Sequence, residues 1–392
     1  MSRLRFLTSG ESHGKGLTGT IEGIPANLSL AASDIDQELS RRQGGFGRGG
    51  RMKIESDRAE IISGVRWGKT IGSPITLFIE NRDYANWSEG MSSLAKSQGS
   101  IPPVTKARPG HADLAGAIKY DQRDIRNILE RSSARETASR VALGAVAKRF
   151  LSEFGITIGS YVVRIGDATS ASERDTGDPV SLLSLFRKAE LSPVRCPDDE
   201  GSKRMIEAIE QAGSEGTTLG GVFEIFATGV PPGLGSHAHW DRRIEGLLAQ
   251  AVMCVQAIKG VEIGDGFTMA GLSGSQVMDE IFYVPSHFSR KTNHAGGIEG
   301  GMTNGMPVLV RAAMKPIPTL RKPLRSVDIA TKEAVEAAYE RSDVCAVPAA
   351  SVVGEAMAAL VLADSLLEKF GGDSMEEVQR NYRTYLEYVG KF

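Results

Sequence analysis

The order of apolar and polar residues predicts short strands separated by longer helices and loops. Apolar stretches that end at Gly, Pro or a polar cluster are typical of strands. They predict strands at 1–9, 17–24, 52–54, 59–65, 75–80, 156–165, 220–228, 261–263, 277–283 and 307–314. Apolar residues at helical spacing, with capping residues at their ends, predict helices at 33–43, 113–120, 133–154, 203–212, 241–258, 348–370 and 375–389.

Two of the predicted helices are typical of a buried core. The helix at 133–154 carries mostly alanine and valine on its apolar face, and such small side chains allow helices to pack closely. The apolar run at 347–367 is interrupted by Glu355 and Asp364, so it is better explained as a buried helix than as a membrane span.

No feature of the sequence divides the chain into domains. It has no internal repeat and no shift in composition that would mark a boundary. We therefore expect a single domain over residues 1–392. The polar segments at about 83–105 and 166–215 are expected to be peripheral, and the second to have little catalytic content.

Composition narrows the functional classes. The 392 residues carry a net charge of −2 and are 41% hydrophobic, which excludes a bulk polyanion binder but allows a large core. The three cysteines are far apart and form no CxxC pair, so neither a disulfide framework nor a zinc site is indicated; Cys254 is expected in the core. No metal-ligand spacing, P-loop or apolar signal segment is present, and we expect a cytoplasmic protein.

The segment 41–51 concentrates positive charge. Four arginines and five glycines occur in eleven residues. Glycine permits close approach of backbone N–H groups to a ligand, and the arginine fork matches phosphate and carboxylate oxygens. This composition indicates a cationic loop that closes over an anion, but a solvated linker or an RNA-binding segment has the same composition.

Two histidines follow in glycine-containing loops. In Gly10-Glu11-Ser12-His13-Gly14, His13 could donate a proton or pair with an anion, and Ser12 could bind a phosphate oxygen. In Arg108-Pro109-Gly110-His111-Ala112-Asp113, the carboxylate of Asp113 could orient His111. Either motif alone could equally be a loop without a catalytic role.

Three further segments have ligand-binding character. Arg131, Ser132, Ser133 and Arg135 begin the helix predicted at 133–154 and could form a phosphate site, although ordinary capping explains them as well. Residues 296–305 are rich in glycine but lack the dinucleotide-binding spacing. Asp343 could cap the last long helix or act as a base.

Taken together and in this order, these motifs resemble the chorismate synthase family. The resemblance extends over nearly the whole chain and is weakest at 83–105 and 166–215. It implies an α+β fold, a single large β–α–β–α sandwich with central helices between antiparallel sheets. It also implies a homotetramer with no nucleic-acid or membrane partner.

The activity that the resemblance implies is a lyase reaction. 5-Enolpyruvylshikimate-3-phosphate would lose phosphate and a ring proton in a 1,4-anti elimination that gives chorismate, the last step of the shikimate pathway. Reduced FMN is required although there is no net redox change, and NADPH could serve as reductant.

Residue by residue, the resemblance implies three catalytic groups. His13 would lie near the leaving phosphate, His111 near the flavin, and Asp343 would assist proton removal by way of flavin N5. The implied substrate-binding residues are Ser12, Arg42, Arg48, Arg51, Arg108, Arg135 and Arg341.

The resemblance also implies cofactor sites. FMN would be held by Arg131, Ser132, Ser133, Gln256, Ala257, Gly300, Lys315, Pro316, Ile317, Pro318, Thr319 and Arg341. NADPH would contact Arg42 and Arg48. Gln256 departs from the Asn or Pro common in the family, and Gly246 lies within a predicted helix, where glycine costs roughly 1 kcal/mol.

Two other functions stay open on the sequence. The first is an NADPH-dependent flavin oxidoreductase with net redox turnover, and the second is an RNA-binding module based on the Arg/Gly loop.

Overall fold

The computed structural model describes residues 3–48, 56–172, 175–285, 287–338 and 343–392. The strand predicted at 52–54 and the residues Arg51 and Arg341 lie outside these ranges.

The strands of the described residues are β1 (Arg5–Ser9), β2 (Gly16–Glu22), β3 (Ala59–Ser63), β4 (Val65–Arg66), β5 (Lys69–Thr70), β6 (Ile75–Glu80), β7 (Thr157–Ile165), β8 (Ala168–Thr169), β9 (Gly221–Thr228), β10 (Ile258–Ile263), β11 (Ile281–Val284), β12 (His287–Arg290), β13 (Ile298–Glu299), β14 (Met302–Thr303), β15 (Val308–Met314), β16 (Arg325–Val327) and β17 (Ala334–Glu336).

The α-helices of the same ranges are α1 (Ala32–Gln43), α2 (Asp113–Lys119), α3 (Arg126–Ser132), α4 (Thr137–Ser152), α5 (Pro179–Leu191), α6 (Asp199–Glu215), α7 (Ile244–Met253), α8 (Gly266–Met269), α9 (Gly274–Val277), α10 (Val347–Phe370) and α11 (Met375–Val389).

The first sheet is antiparallel, with strand order β1-β2-β6-β3. Buried and partly exposed residues alternate along β2 and β6, so that Leu17 lies opposite Ile79 and Ile21 opposite Ile75 on the buried face. This alternation is typical of an antiparallel sheet with one face on the core. The covering helix is α4, which packs on β2 and β6.

The second sheet is also antiparallel, with strand order β10-β15-β9-β7-β8. Both of its faces are covered, because α10 packs on β7 and β9 from one side and α5 packs on β7 from the other. A small apolar cluster under α5 joins Leu182 and Leu185 to Tyr161 and Phe226.

The centre of the molecule is the contact between α4 and α10. Their backbones approach closely at Gly144, where an added Cβ would lie 2.3 Å from the Cβ of Ala356. The small residues predicted on this helix face therefore do allow close packing. The resulting order of layers is sheet, central helices, sheet, outer helix, which confirms the predicted α+β sandwich.

A buried charge network joins the central helices. Glu355 on α10 is completely buried and accepts hydrogen bonds from Arg41, Lys148, Arg195 and Ser160. Burial alone would raise the pKa of this carboxyl, but the three cations hold it well below its usual range. The carboxylate therefore stays ionised inside the core.

Among the helices that the structure describes, α10 alone is long and apolar enough to cross a membrane. In its most apolar window 89% of the residues are buried inside the molecule. Its apolar character is explained by its place in the core, as predicted.

Several predicted elements differ from the structure. The helix predicted at 133–154 begins only at Thr137, after a separate helix α3 and one 3₁₀ turn at Ala134–Glu136. The segment 166–215 contains two helices, α5 and α6, where one was predicted. The last turn predicted for α7 is absent, and Cys254 at its end is exposed rather than in the core.

Candidate active site

The loop that carries His13 leaves the end of β1 through a glycine turn. Gly10 has φ +100°, and a Cβ there would lie 2.3 Å from the carbonyl oxygen of Gly16, so only glycine fits. Asn81, which follows β6, donates hydrogen bonds to the carbonyls of Glu11 (3.0 Å) and Gly14 (2.8 Å). The loop is thus held on both sides of His13.

His13 is fixed by contacts with another part of the chain. Its backbone N–H donates to Glu130 Oε2 at 2.7 Å, and its Nδ1 lies 2.8 Å from Glu130 Oε1. The ring lies against Trp87, with 4.5 Å between the ring centroids and an angle of 45° between the ring planes. Trp87 comes from the segment at 83–105, so that segment contributes directly to the environment of His13.

Ser12 is buried and lies against the residues that follow α3. Its N–H donates to the carbonyl of Glu130 at 2.9 Å, and its Oγ donates to Ser133 Oγ at 3.1 Å. The predicted substrate residue Ser12 and the predicted FMN residue Ser133 are therefore adjacent.

Two of the predicted arginines converge on one carboxylate. Arg135 donates from Nη1 to both oxygens of Asp57, at 2.6 and 2.7 Å, and from Nε to Asn81 at 2.9 Å. Arg42, at the end of α1, lies with Nη1 3.5 Å from Asp57 Oδ2 and donates to Thr137 Oγ1 and the Ala134 carbonyl, each at 2.9 Å. All three charged side chains are buried.

Arg48 and Asp343 extend this cluster. Arg48 Nη1 lies 2.8 Å from Asp343 Oδ2, which joins the Arg/Gly loop to the segment before α10. Asp343 thus forms an ion pair, and the N-cap of α10 is Ala346. The capping role considered for Asp343 is wrong.

The cluster of Arg42, Arg48, Arg135, Asp57 and Asp343 brings three guanidinium groups close together. Burial lowers the pKa of Arg42 to about 10; Asp57 opposes this change, and the like charges of Arg48 and Arg135 add to it. Arg42 Nη1 is buried and has no hydrogen-bond acceptor among the described residues. An anionic ligand would supply an acceptor for Arg42 Nη1 and would offset the repulsion among the three guanidinium groups.

The second histidine lies in a separate ion-pair cluster. Arg108 donates from Nε to Asp113 Oδ2 at 2.8 Å, and His111 Nδ1 contacts Asp113 Oδ1. Burial raises the pKa of Asp113, but the hydrogen bonds from His111 and Arg108 outweigh it and hold this pKa well below its usual range. The orientation of His111 by Asp113, predicted from their spacing, is present in the structure.

The predicted flavin-binding segments form a chain of contacts from His111 to Arg135. Lys315 Nζ donates to the carbonyl of Gly110 at 2.5 Å, and the N–H of Lys315 donates to the carbonyl of Ala257 at 2.9 Å. Gln256 then donates to Glu136 Oε1 at 2.6 Å, next to Arg135. Segments 108–113, 131–137, 256–257 and 315–319 are thereby brought together.

The phosphate site predicted at a helix N-terminus is different in the structure. Ser132 ends α3, and Ser133 lies between this helix and the 3₁₀ turn, where its Oγ accepts from the N–H of Arg135. Arg131 donates to the carbonyls of Thr8 and Gly10 and so braces the end of β1. The N-terminus of α4 itself begins at Thr137, four residues after Ser133.

Gly300 belongs to a different neighbourhood. It lies in the turn between β13 and β14, and the next residue, Gly301, accepts a hydrogen bond from the N–H of Ile244 at the start of α7. Two other predicted residues, Arg51 and Arg341, lie outside the described residues.

Several site residues escaped prediction. Asp57, Asn81, Glu130 and Glu136 are buried polar residues that hold the predicted arginines and His13 or contact Gln256. No local motif surrounds Asp57 or Asn81. Glu130 and Glu136 flank the segment 131–135 of the predicted phosphate site, but no role for either carboxylate follows from their spacing.

Comparison with known proteins gives one family. A family model described as "Chorismate synthase" matches residues 4–367. Curated relatives of that name include one from Aquifex aeolicus (strain VF5), 61% identical over 99% of both chains, and one from Geobacter sulfurreducens (strain ATCC 51573 / DSM 12127 / PCA), 58% identical over 99% of this chain and all of its own length. A solved structure titled "Crystal Structure of Chorismate Synthase" superposes with a TM-score of 0.82 at 52% identity, covering 99% of each chain.

Proposed function

The chain belongs to the chorismate synthase family of lyases, and on that basis we propose that it converts 5-enolpyruvylshikimate-3-phosphate to chorismate. The proposed reaction is a 1,4-anti elimination of phosphate that requires reduced FMN and gives no net redox change.

The observation that carries the proposal is the buried cluster of Arg42, Arg48 and Arg135. Three guanidinium groups lie close together in a site where burial disfavours charge, and the like charges of Arg48 and Arg135 add to the lowering of the Arg42 pKa. The proposed substrate carries one phosphate and two carboxylates. Arginine forks match such groups with paired hydrogen bonds, so the ligand would relieve the like-charge repulsion within the cluster.

Phosphate departure is the step that we assign to His13 and Ser12. The imidazolium of His13 would stabilise the negative charge that develops on the leaving phosphate, and the Ser12 hydroxyl would donate to a phosphate oxygen. His13 is held on Glu130 and Trp87, so little reorganisation of the ring is needed during the reaction.

We propose that Asp343 assists the loss of the ring proton. Its ion pair with Arg48 fixes the carboxylate beside the arginine cluster.

The predicted flavin-binding residues fit a ligand that carries hydrogen-bond donors. Gln256 Oε1 and Glu136 Oε2 are both buried acceptors without a donor among the described residues. The N–H groups of a reduced flavin ring and the hydroxyls of its ribityl chain are donors of the required kind. Reduced FMN, when bound, would supply electron density that assists cleavage of the allylic C–O bond.

We propose that the residues around this site hold FMN in place. Lys315 and Thr319 at the ends of the proline-containing loop, Gln256 and Ala257 after α7, and Ser132 and Ser133 after α3 would bind it. His111, oriented by Asp113, would keep the reduced cofactor correctly protonated. Arg42 and Arg48 are also our proposed contacts for NADPH as a reductant, and the homotetramer and cytoplasmic location stay predictions.

An anaerobic assay tests the proposal. Purified protein, 5-enolpyruvylshikimate-3-phosphate and photoreduced FMN are combined under nitrogen, with and without NADPH. Chorismate formed without stoichiometric NADPH consumption is the expected result. Stoichiometric NADPH oxidation would instead indicate a flavin oxidoreductase, and RNA affinity that substrate plus FMN fails to displace would indicate a binding module.

A further inference from the structure

Glu130 contacts both the backbone and the ring of His13. Glu130 is buried on α3 and uses one oxygen, Oε2, for the backbone N–H of His13 and the other, Oε1, for the ring nitrogen Nδ1. The two distances, 2.7 and 2.8 Å, are those of charge-assisted hydrogen bonds. One carboxylate therefore sets both the position of the loop and the orientation of the ring.

An ionised carboxylate can only accept hydrogen bonds, so the contact requires a proton on Nδ1. In the neutral ring the lone pair then resides on Nε2, and in the imidazolium both nitrogens carry protons. The imidazolium would face the carboxylate of Glu130 through its Nδ1–H. This is the form that would stabilise a departing phosphate.

Neighbouring groups restrict both side chains. Arg126 lies above the Trp87 ring, 4.7 Å from its centroid, with Nη1 3.9 Å from Glu130 Oε1. The backbone carbonyl of Glu130 accepts from the N–H of Ser12. Glu130 is thus linked to two consecutive residues of the His13 loop.

We propose that Glu130 is the positioning residue of His13: it fixes the proton on Nδ1 and stabilises the imidazolium during phosphate release. This inference rests on the proposed function for its catalytic consequence. Glu130 acts through His13 and is not itself assigned a contact with substrate.

The variant Glu130→Gln distinguishes two roles of Glu130: setting the protonation of the His13 ring, and only holding the backbone of the loop. A glutamine of the same shape has one acceptor oxygen, so it can accept from the backbone N–H or from Nδ1–H but not from both. If its oxygen takes the backbone N–H, its NH₂ faces Nδ1 and forces the neutral tautomer with the proton on Nε2. We therefore expect turnover to fall about 100-fold with a smaller change in KM.

The decisive measurement is ¹⁵N NMR of the histidine rings, with the His13 signals identified by their loss in H13A. In the wild-type protein, at a pH where the ring is neutral, we expect the proton on Nδ1. In E130Q we expect it on Nε2. Asp113→Asn is the matched control, because it should change the His111 signals and leave those of His13 in place.

Three results would overturn the inference: a wild-type His13 with the proton on Nε2, E130Q turnover within threefold of wild type, or loss of turnover in E130Q with Nδ1 still protonated. If E130Q does not fold, the wild-type tautomer decides. A wild-type protein that makes no chorismate would overturn the proposed function, whereas the change of tautomer in E130Q would still decide whether Glu130 sets the state of the ring.

Discussion

Single carboxylates determine how the basic residues of the site are held. Asp57 binds Arg135 through both oxygens and lies beside Arg42, Asp343 binds Arg48, and Asp113 binds Arg108. Each arginine therefore has a fixed position before any ligand arrives. Fixed donors of this kind recognise anions with little reorganisation.

Asp57→Asn tests the most buried of these contacts. An asparagine offers one acceptor and no charge, which leaves two buried guanidinium groups uncompensated, so we expect a loss of about 3–5 kcal/mol in the free energy of unfolding. Urea denaturation measures it. The control is Glu22→Gln, which breaks the solvent-exposed ion pair with Arg5 and should change stability little. Equal effects of the two substitutions would contradict the assigned role of Asp57.

Replacing either predicted catalytic histidine tests the site itself. We expect His13→Ala and His111→Ala each to lower turnover by about 10²–10⁴-fold, the range for loss of a general acid or base. The anaerobic chorismate assay measures this. His239→Ala is the control, because that histidine pairs with Asp241 on the surface. Near-normal rates in both site variants would show that the histidines lack these roles.

For single residues, the sequence predicts contacts between positions that are close together in the chain. Asp113 is two positions from His111, and its role was foreseen. Glu130 is 117 positions from His13, and Asp57 is 78 positions from Arg135. Such pairs depend on how strands and helices pack, and local spacing carries no information about them.

Among the elements, the central helices define the geometry of the site. The site segments adjoin the N-terminal ends of both: Arg135 precedes α4, and Asp343 precedes α10. Because α4 and α10 touch at Gly144, the distance between these ends depends on that close contact.

Gly144→Ala should therefore destabilise the protein. The new Cβ would lie 2.3 Å from Ala356 Cβ and 2.6 Å from its Cα, so the helices must separate, at a cost of about 1–3 kcal/mol. Gly246→Ala is the matched control: Gly246 lies in α7 with open space around its Cβ position, and alanine there should add up to about 1 kcal/mol. Thermal denaturation of both variants measures the difference, and a stabilised G144A would refute the close contact.

Periodicity predicted the long elements well and the short ones poorly. The helix α10 and the strands β2, β6, β7, β9 and β15 lie close to their predicted positions. The short helix α3 was missed because its seven residues contain Arg, Asn, Glu and Ser around only two apolar positions. Only its last two residues, Arg131 and Ser132, were placed at the start of the next predicted helix.

Across the whole molecule, the Glu355 network connects the first sheet's helices to the second sheet. Arg41 comes from α1, Lys148 from α4, and Arg195 from the segment after α5. Glu38 and Glu190 complete it by pairing with Arg41. Among the described residues, the three cations of this network are matched by its three carboxylates.

Glu355→Gln should lower the stability of the protein by an amount that depends on pH. The folded-state pKa of Glu355 lies below its usual value, so its stabilisation is fully present above about pH 4.3 and is lost as the pH falls toward the folded-state pKa. At pH 7 we expect E355Q to be less stable by about 3–5 kcal/mol. Urea denaturation between pH 7 and pH 3 should show the gap narrowing with acidification, and a constant gap would count against the ion pairs.

The overall architecture could be predicted from the sequence because the order of the motifs resembles that of a known family. The periodicity of apolar residues alone did not predict it. Periodicity gave strands and helices but not the order of the layers. The network that connects the layers was not predicted, because Glu355, Arg41 and Arg195 are far apart in the chain.

The two neighbouring arginines at the end of α1 restrict insertions and deletions in this helix. Arg41 binds the core network and Arg42 the site cluster, and consecutive residues of a helix point about 100° apart. Deleting one residue earlier in α1 would turn Arg42 toward the core and withdraw the cation from the site. A one-residue insertion or deletion within α1 would therefore disturb the Glu355 network and the site cluster together.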